Sequence, residues 1–440
     1  MATTAVRLPA RSQGYIMFKM GVLIAAVALC ADVIGTLKIN LGFVQVSLLP
    51  MVWAIILGAL VAALGSHYGK GVFRVERALQ FKASAVLQPT LLLFTAKLGL
   101  MVGEHLPQVI SAGWALVFQE FGHFLGTVLL GMPLALLLGI KREAIGATFS
   151  VGREPSLAII ADRYGMSSPE GSGVLAEYLT GTILGAVFIS IVASVVTSLG
   201  VFDPRALAMG AGVGSGSMMA AAAGAIAAQQ TAEVAKQVTA FAAASNLITS
   251  SIGVYFTLFI SLPCALWVYR VLEPRIGRTT SASIVPQPQG NAMPEEGTHT
   301  LLEKWVTWAI VGALSLVSNW ILYGGSPSEA VPCLLIMMGV LVVNDAVMKV
   351  VGGRVPSVCV ISIIAMALTS PWSPVAAEVI AYSGKLNFLA ITPAMLAVAG
   401  LSLAKDLPAF KRLGWRIVVV SLVANAGSFL FAACVAQFFH

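Results

Sequence analysis

Two polar, glycine-punctuated segments interrupt a polypeptide that is otherwise almost continuously apolar. The first is Gly146-Ala-Thr-Phe-Ser-Val-Gly-Arg-Glu-Pro-Ser156 and the second is Gly210-Ala-Gly-Val-Gly-Ser-Gly-Ser217. Each lies where a membrane-spanning helix would otherwise be expected. Non-helical backbone is tolerated at membrane depth only where protein or a wet cavity satisfies its polar groups. Two such breaks near one another therefore predict a transport site.

The composition assigns the chain to the polytopic membrane proteins. Of its 440 residues, 58% are hydrophobic and 10% are charged, and the mean hydropathy is +0.90, whereas about 25% of the residues of a soluble domain are charged. The net charge of +7 indicates basic cytoplasmic loops and not a nucleic-acid partner. The five cysteines are scattered singly, and no hydrolase or zinc-protease motif occurs. We therefore expect no metal, no other cofactor and no enzyme.

The apolar runs predict an all-α membrane protein with about eleven transmembrane helices, plus two re-entrant or unwound segments. Runs of about 20 residues, long enough to cross a bilayer, lie near residues 17–37, 44–65, 84–103, 113–140, 174–200, 237–270, 304–323, 330–348, 355–372, 386–404 and 412–438. Residues 271–303 are rich in Pro, Gln, Ser and Thr, which predicts a solvated cytoplasmic linker. The linker separates an N-terminal membrane part, 1–270, which contains both interruptions, from a C-terminal five-span part, 304–440.

Basic residues predict the orientation in a bacterial inner membrane. The loops after the second and fourth runs carry Lys70, Arg74 and Lys141, among others, whereas loop 104–112 has neither lysine nor arginine. Lysine and arginine mark short cytoplasmic loops, so we expect a cytoplasmic N-terminus and an external C-terminus. If both interrupted segments cross the membrane fully, the two extra crossings cancel and the termini keep the same predicted sides. The distribution of charge therefore does not distinguish re-entrant segments from full crossings.

Recurring glycine and proline positions suggest an inverted internal repeat. An offset of 301 residues relates Gly99 to Gly400, Pro107 to Pro408, Gly113 to Gly414 and Gly126 to Gly427. The loop of the first copy is predicted outside and that of the second inside, as in the inverted repeats of secondary transporters. Chance matching between apolar sequences is the alternative.

The first interruption supplies the charged candidates for substrate binding. Its candidate residues are Ser150, Gly152, Arg153, Glu154 and Ser156. An arginine at membrane depth is costly and usually faces a cavity, and its planar guanidinium suits a carboxylate or a phosphate. Arg153 is therefore predicted to clamp an anionic substrate. The alternatives are that it pairs with Glu154 or Asp162, or that it lies among the cytoplasmic headgroups.

The second interruption supplies accessible backbone groups as candidates for substrate binding. Its candidate substrate-binding residues are Gly212, Gly214, Ser215, Gly216 and Ser217. Alternating glycines let backbone groups approach a ligand or an ion closely. Close helix packing through small residues is the alternative.

Polar residues inside two apolar runs complete the candidate site. Glu120 and His123, three residues apart, are the proton-coupling candidates, because ionisable groups within a span are functional candidates; a neutral, hydrogen-bonding His123 is the alternative. Asn246 and Thr249 share a helix face and are expected to line the site or to hydrogen-bond between helices. Glu177, near the start of its run, is expected at headgroup level.

The arrangement resembles known membrane protein families. Residues 90–265, with Ala-Thr-Phe-Ser-Val-Gly-Arg-Glu-Pro-Ser, a span, and then Asp203-Pro204 before the Gly/Ala-rich segment, resemble LrgB/CidB-type proteins, from which Arg153-Glu154 and the half after residue 303 depart. As a whole the chain resembles a family of bacterial inner-membrane proteins classed as a domain of unknown function. It is distantly similar to 2-hydroxycarboxylate and lysine-export carriers. These resemblances imply a transporter-like fold and no particular substrate.

The sequence thus predicts a secondary transporter that moves a small organic anion, carboxylate or amino-acid-like, with H⁺ or Na⁺ as the coupling ion. A homodimer in the lipid bilayer is compatible with this prediction. A holin-like protein that regulates cell-wall hydrolases and a passive channel are the alternatives.

Overall fold

The structure, a computed structural model, describes residues 10–41, 44–68, 74–151, 154–165, 168–212, 214–277, 300–351, 357–407 and 414–439. The predicted all-α membrane architecture is confirmed, apart from one short antiparallel pair of strands, β1 (Leu37–Leu41) and β2 (Val44–Leu48). The first strand lies mostly between the predicted runs 17–37 and 44–65, and the second strand occupies the first five residues of the run 44–65.

The helices of the first part of the chain fall into long spans and short, broken pieces. They are α1 (Ala10–Ile34), α2 (Pro50–His67), α3 (Arg77–Glu104), α4 (Leu106–Ser111), α5 (Gly113–Leu137), α6 (Glu143–Thr148), α7 (Glu154–Tyr164), α8 (Pro169–Thr180), α9 (Ala186–Leu199), α10 (Pro204–Ala211), α11 (Gly216–Ala227), α12 (Ala232–Phe256) and α13 (Leu262–Ile276). A π-helical turn joins α8 to α9 (Gly181–Gly185), and another joins α12 to α13 (Thr257–Ser261).

The helices of the second part are the five that the apolar runs predict, with one bend added. They are α14 (Leu301–Tyr323), α15 (Pro327–Val351), α16 (Ser357–Thr369), α17 (Ala376–Ser383), α18 (Thr392–Leu403, after a 3₁₀ turn at Phe388–Ile391) and α19 (Trp415–Phe439). The axes of helix α17 and of the segment Phe388–Leu403 are bent by 59° relative to each other. Helix α13 continues six residues into the predicted linker, and residues 278–299 of that linker lie outside the described residues.

Eight of the described helical segments are long and apolar enough to cross a membrane, and the bent pair forms a ninth. The predicted count of about eleven would require two further crossings among the described residues, for which α12–α13 and α16 are available. The ends of α12–α13 bond to Arg205 and Lys141, and α16 is a 13-residue apolar helix that packs along α3.

Glycines bring two pairs of helices into backbone contact. Gly58 of α2 packs on the backbone of Gly400 in α18, and Gly99 and Gly103 of α3 pack on the backbone of α16. The offset of 301 that relates Gly99 to Gly400 makes α3 equivalent to α18 and α2 equivalent to α16. The contact of α2 with α18 is then equivalent to the contact of α16 with α3. The packing therefore supports the predicted repeat.

A third glycine contact shows how the two copies of the repeat are oriented. Along α5, Gly122, Gly126 and Gly131 pack in turn against Phe431, Gly427 and Ala424 of α19. The numbering rises on one helix and falls on the other, so the helices are antiparallel. Gly126 and Gly427, equivalent by sequence offset, touch each other. A two-fold axis through this contact is perpendicular to the helices, which makes the repeat inverted.

This self-equivalent contact generates a stability prediction. A Cβ at Gly126 would overlap the backbone of Gly427, so Gly126→Ala should lower the free energy of unfolding by about 1–3 kcal/mol. Gly339→Ala, in the middle of α15 where no atom lies within 4 Å of the added methyl group, is the matched control. Thermal unfolding in detergent would measure both; equal melting temperatures for the two variants would contradict the axis.

Candidate functional site

The first interrupted segment begins and ends at one end of the helix bundle. The guanidinium of Arg142, just before α6, donates to Oε1 of Glu170, at the start of α8, with N···O distances of 2.6 and 2.8 Å. Gly146 of α6 packs directly on the backbone of Glu170. The chain that enters at Arg142 is therefore back at the same level when α8 begins. We name this face A and the segment α6–α7 the first hairpin.

The second interrupted segment does the same at the other face. Gln229, which follows α11, donates to the carbonyl oxygen of Ser194 near the end of α9 at 3.0 Å and accepts from Ser198 at 2.9 Å. Arg205, at the start of α10, donates to Gln237 near the start of α12 at 2.9 Å. Both ends of the segment thus lie near the end of α9, at face B. We name α10–α11 the second hairpin.

Only one helix separates the two hairpins. The continuous stretch Pro169–Leu199 carries the chain from face A to face B, so the hairpins enter from opposite faces. Each segment thus begins and ends at one end of the bundle, which favours the re-entrant model of the two that charge left open.

The tip of the first hairpin is a polar break enclosed by protein. Ser150 and Ser156, from the two sides of the break, are joined by a hydrogen bond of 2.6 Å and are buried. Ser261 of the second π-helical turn donates to the carbonyl oxygen of Phe149. Gly152 and Arg153 lie outside the described residues, and for Glu154 only the backbone, at the start of α7, is described.

The tip of the second hairpin is held by Asn246. Its amide Nδ2 donates to the carbonyl oxygens of Gly212 at 2.8 Å and Gly214 at 3.3 Å. Gly214 has φ = +112°, a conformation for which glycine is suited. Without Asn246 the two carbonyls would be unsatisfied inside the protein, at a cost of about 1–3 kcal/mol each.

Hydroxyl groups complete this tip. The Ser215 side chain caps α11 by accepting from the backbone N–H of Met218 at 3.3 Å, and it lies 2.9 Å from the hydroxyl of Ser217. Ser215, Gly216 and Ser217 are partly exposed, so the start of α11 is accessible. In each hairpin the returning helix begins at the tip, so its positive dipole end points into the protein.

Glu120 lies beside the second hairpin, fully buried. Its Oε1 accepts from Gln119 Nε2 at 2.7 Å and from the hydroxyl of Thr249. Thr249 follows Asn246 by three residues on α12. One turn of helix therefore separates the residue that bonds to the Glu120 carboxyl group from the residue that bonds to the carbonyls of the second tip. The other proton-coupling candidate, His123, is buried as well and bonds through Nδ1 to Ser428 of α19.

The two tips contact the same long helix at different levels. Asn246 and Ser261 are 15 residues apart in the continuous α12–α13 stretch, which corresponds to about 22 Å of helix. Thr249 and its partner Glu120 lie between these levels. The two tips therefore contact α12–α13 at separate places, and the Glu120 carboxyl group lies at a level between them.

Asn246 also borders a small internal space of about 20 Å³, lined by Thr95, Leu98, Gly99, Val102, Ala243, Leu247, Val358, Ser362 and Met366. This volume holds about one water molecule. The space lies between α12, which belongs with the hairpins, and α3 and α16, which belong to the glycine-packed repeat.

Three features of this region escaped the sequence interpretation. Glu177, expected at headgroup level, is fully buried. Lys97 of α3 is also buried and donates to the carbonyl oxygen of Ser383, at the end of α17, at 2.5 Å. The π-helical turns, one after each hairpin, have no sequence signature in apolar segments.

Comparison with known proteins gives a family and nothing on its activity. The sequence profile of a family described as "Protein of unknown function (DUF3100)" matches residues 29–271. Because this match covers more than half of the chain, the chain belongs to that family. No curated protein and no solved structure matches the sequence. Nothing in these comparisons supports the resemblance to LrgB/CidB-type proteins.

The role of Asn246 can be measured directly. Asn246→Leu removes both donors to the second tip, and the loss of about 1.4 kcal/mol or more should raise hydrogen exchange at residues 210–219 at least tenfold. Asn344→Leu, at a buried asparagine of α15 away from the hairpins, is the control. Unchanged exchange in Asn246→Leu would show that the amide does not hold the tip.

Proposed function

We propose that this DUF3100 family member is a secondary active transporter that moves a small organic anion, a carboxylate or an amino-acid-like molecule, across the bacterial inner membrane. The observation that carries the proposal is the pair of re-entrant hairpins that enter from opposite faces and end in unwound tips. A broken helix exposes backbone groups at depth, where they can replace the hydration of a substrate. Opposed hairpins provide one barrier toward each face.

The polarity of the tips favours an anion. Each returning helix, α7 or α11, starts inside the protein, so each tip separately offers a positive dipole end to a negative group. Ser215 and Ser217 add hydroxyl donors at the second tip. In sequence, Arg153 immediately precedes α7, where a guanidinium would bind a carboxylate.

Glu120 is proposed as the proton-coupling group, with His123 as its neighbour on α5. Protonation of Glu120 would change its bond to Thr249, and α12 would transmit this change over one turn to Asn246 and the second tip. A proton bound at this carboxyl group would thereby alter the barrier toward face B. H⁺ coupling and Na⁺ coupling both fit an oxygen-rich site of this kind.

Face A is proposed to be cytoplasmic. Arg74 and Arg77 at the start of α3, Lys141 and Arg142 before the first hairpin, and Arg275 at the end of α13 all lie at this end of the bundle. By the positive-inside rule the N-terminus is then cytoplasmic and the C-terminus external. A homodimer is compatible with this topology.

The anion clamp is tested in proteoliposomes with radiolabelled succinate, citrate, malate and glutamate as probes. Arg153→Ala should reduce the initial rate of uptake of the transported probe at least tenfold, because a desolvated charge pair is lost. Arg163→Ala, at an exposed arginine near the end of α7, is the matched control. Equal rates for the two variants would remove Arg153 from the site.

Coupling is tested with the same preparation. Glu120→Gln should make uptake independent of an imposed pH gradient while leaving exchange of labelled for unlabelled substrate intact. Flux that no ion gradient affects in the unmodified protein would identify a passive channel. A lysis phenotype on deletion, without any transport defect, would favour regulation of cell-wall hydrolases.

A further inference from the structure

We infer that Asp32, near the end of α1, is a proton-binding site: its carboxyl group holds a proton at neutral pH, exchanges it with face B, and thereby controls the bend between α17 and α18. The inference deepens the proposed function and rests on it for the role of the proton, which would be the coupling ion. The site itself is argued from contacts that need no substrate.

Asp32 is enclosed by protein at the contact between α1 and α14. It lies in the last turn of α1, and only 3% of its surface is exposed. The hydroxyl group of Ser318 in α14 donates to its Oδ2 at 2.5 Å. The other carboxyl oxygen, Oδ1, is buried and has no hydrogen-bond partner among the described residues. A carboxyl group in such surroundings within a membrane protein is a functional candidate.

The direction of α14 places Asp32 toward face B. The ion pair of Lys82 with Glu303, at 2.8 Å, joins the start of α3 to the start of α14. Helix α3 ends nine residues before α5 begins, and α5 runs back to Lys141 at face A. The ends of α3 and α14 therefore lie toward face B, and Ser318 is five residues from the end of α14.

No basic side chain forms an ion pair with Asp32 in the part of the chain that the structure describes. Of the helices that pack against α1, α18 has no titratable residue and α2 has one, His67, at its far end. Helix α14 has Tyr323 on this side, and the Asp32 charge acts on it, but a phenol supplies no positive charge. In α3 the ammonium group of Lys97 is bonded to Ser383.

The charged groups of α1 itself leave Asp32 without a counter-charge as well. Lys19 precedes it by 13 residues, close to the other end of the span, and Cys30 is exposed on another side of the helix. An uncompensated buried charge costs more than a neutral polar atom that lacks one partner. A proton removes the charge and leaves the bond from Ser318 in place, so the neutral acid is the favoured form.

Helix α14 links this proton to the bend between α17 and α18. Asn319 follows Ser318 and is buried. Its Nδ2 donates to the carbonyl oxygen of Lys385 at 3.0 Å, and its Oδ1 accepts from the backbone N–H of Asn387 at 2.9 Å. Both bonds are made in the turn at which the span is bent by 59°. Asn319 thus satisfies the backbone of this break, as Asn246 does at the second tip.

A buried cation holds the other side of the bend. Lys97 Nζ donates to the carbonyl oxygen of Ser383, the last residue of α17, at 2.5 Å and to its hydroxyl oxygen at 2.8 Å. An ammonium group stabilises the carbonyl groups at a helix C-terminus. The bend therefore lies between a positive group on α3 and a carboxyl group whose charge depends on its proton.

Loss of the proton would loosen the bend. The ionised carboxylate of Asp32 needs water, which would have to enter between α1 and α14. Displacement of Ser318 would carry Asn319 with it and weaken the two bonds that satisfy the turn. We therefore expect a protected bend when Asp32 is protonated and a more open bend at higher pH.

Infrared difference spectroscopy of the full-length protein in lipid nanodiscs tests the proton site without a substrate. At neutral pH the carbonyl stretching band of protonated carboxylic acids should contain a component that Asp32→Asn removes. Asp345→Asn is the matched control, because the Asp345 carboxylate is paired with Lys304 at 2.5 Å; it should leave the band unchanged. Identical bands in the unmodified protein and Asp32→Asn would overturn the site.

Hydrogen exchange tests the link to the bend. After correction for the intrinsic pH dependence of exchange, residues 384–389 should exchange about tenfold faster at alkaline pH than at neutral pH. Asp32→Asn, which cannot ionise, should remove this dependence. Ser318→Ala should also remove it while keeping the infrared component of Asp32. The same pH dependence in the unmodified protein and Asp32→Asn would overturn control of the bend.

The two measurements separate this site from the proposed transport. If both hold, Asp32→Asn should reduce the stimulation of uptake by an imposed pH gradient at least tenfold. Uptake stimulated by a pH gradient, with no infrared component from Asp32, would overturn the site and leave the proposed transport intact. The infrared component without uptake of any probe would do the reverse.

Discussion

The structure depends on one constraint: backbone groups that leave a helix inside a membrane must find partners within the protein. At the second tip, Asn246 satisfies the carbonyl groups of Gly212 and Gly214, and Ser215 caps the helix that follows. At the first tip, Ser261 satisfies the carbonyl of Phe149. Both sets of partners include α12–α13, so this helix is the common support of the two breaks.

Three glycine contacts relate two antiparallel sets of helices around the breaks. The glycine contact between α5 and α19 lies on the axis, and the contacts α2–α18 and α3–α16 are related by it. The hairpins lie outside the segments that the offset of 301 relates, and they begin at opposite ends of the bundle, at Arg142 and at Arg205. Opposed barriers around shared helices are the geometry that alternating access needs.

The sequence predicted the features that glycine and proline positions and charge determine. It did not predict the features that depend on packing between distant segments. The two interruptions were found because Gly146, Pro155 and the glycines at 210–216 break an apolar pattern, and Gly126 with Gly427 was found through a fixed offset. The burial of Glu177 was not predicted, because position along an apolar run does not show which neighbouring helices cover a side chain. The bond from Lys97 to Ser383 joins segments 286 residues apart, a contact that one sequence does not show, and the bend after α17 was not predicted either.

Entry of the two interrupted segments from opposite faces of the membrane can be tested through the sidedness of four short loops. Single cysteines at Lys141, Ser168, Val201 and Thr231, in a cysteine-free background, would be labelled with a membrane-impermeant maleimide in oriented vesicles. If both segments are re-entrant, the cysteines at positions 141 and 168 should react from one side of the membrane and those at positions 201 and 231 from the other. Labelling that alternates from each position to the next would mean that both segments cross the membrane, and would contradict the re-entrant arrangement.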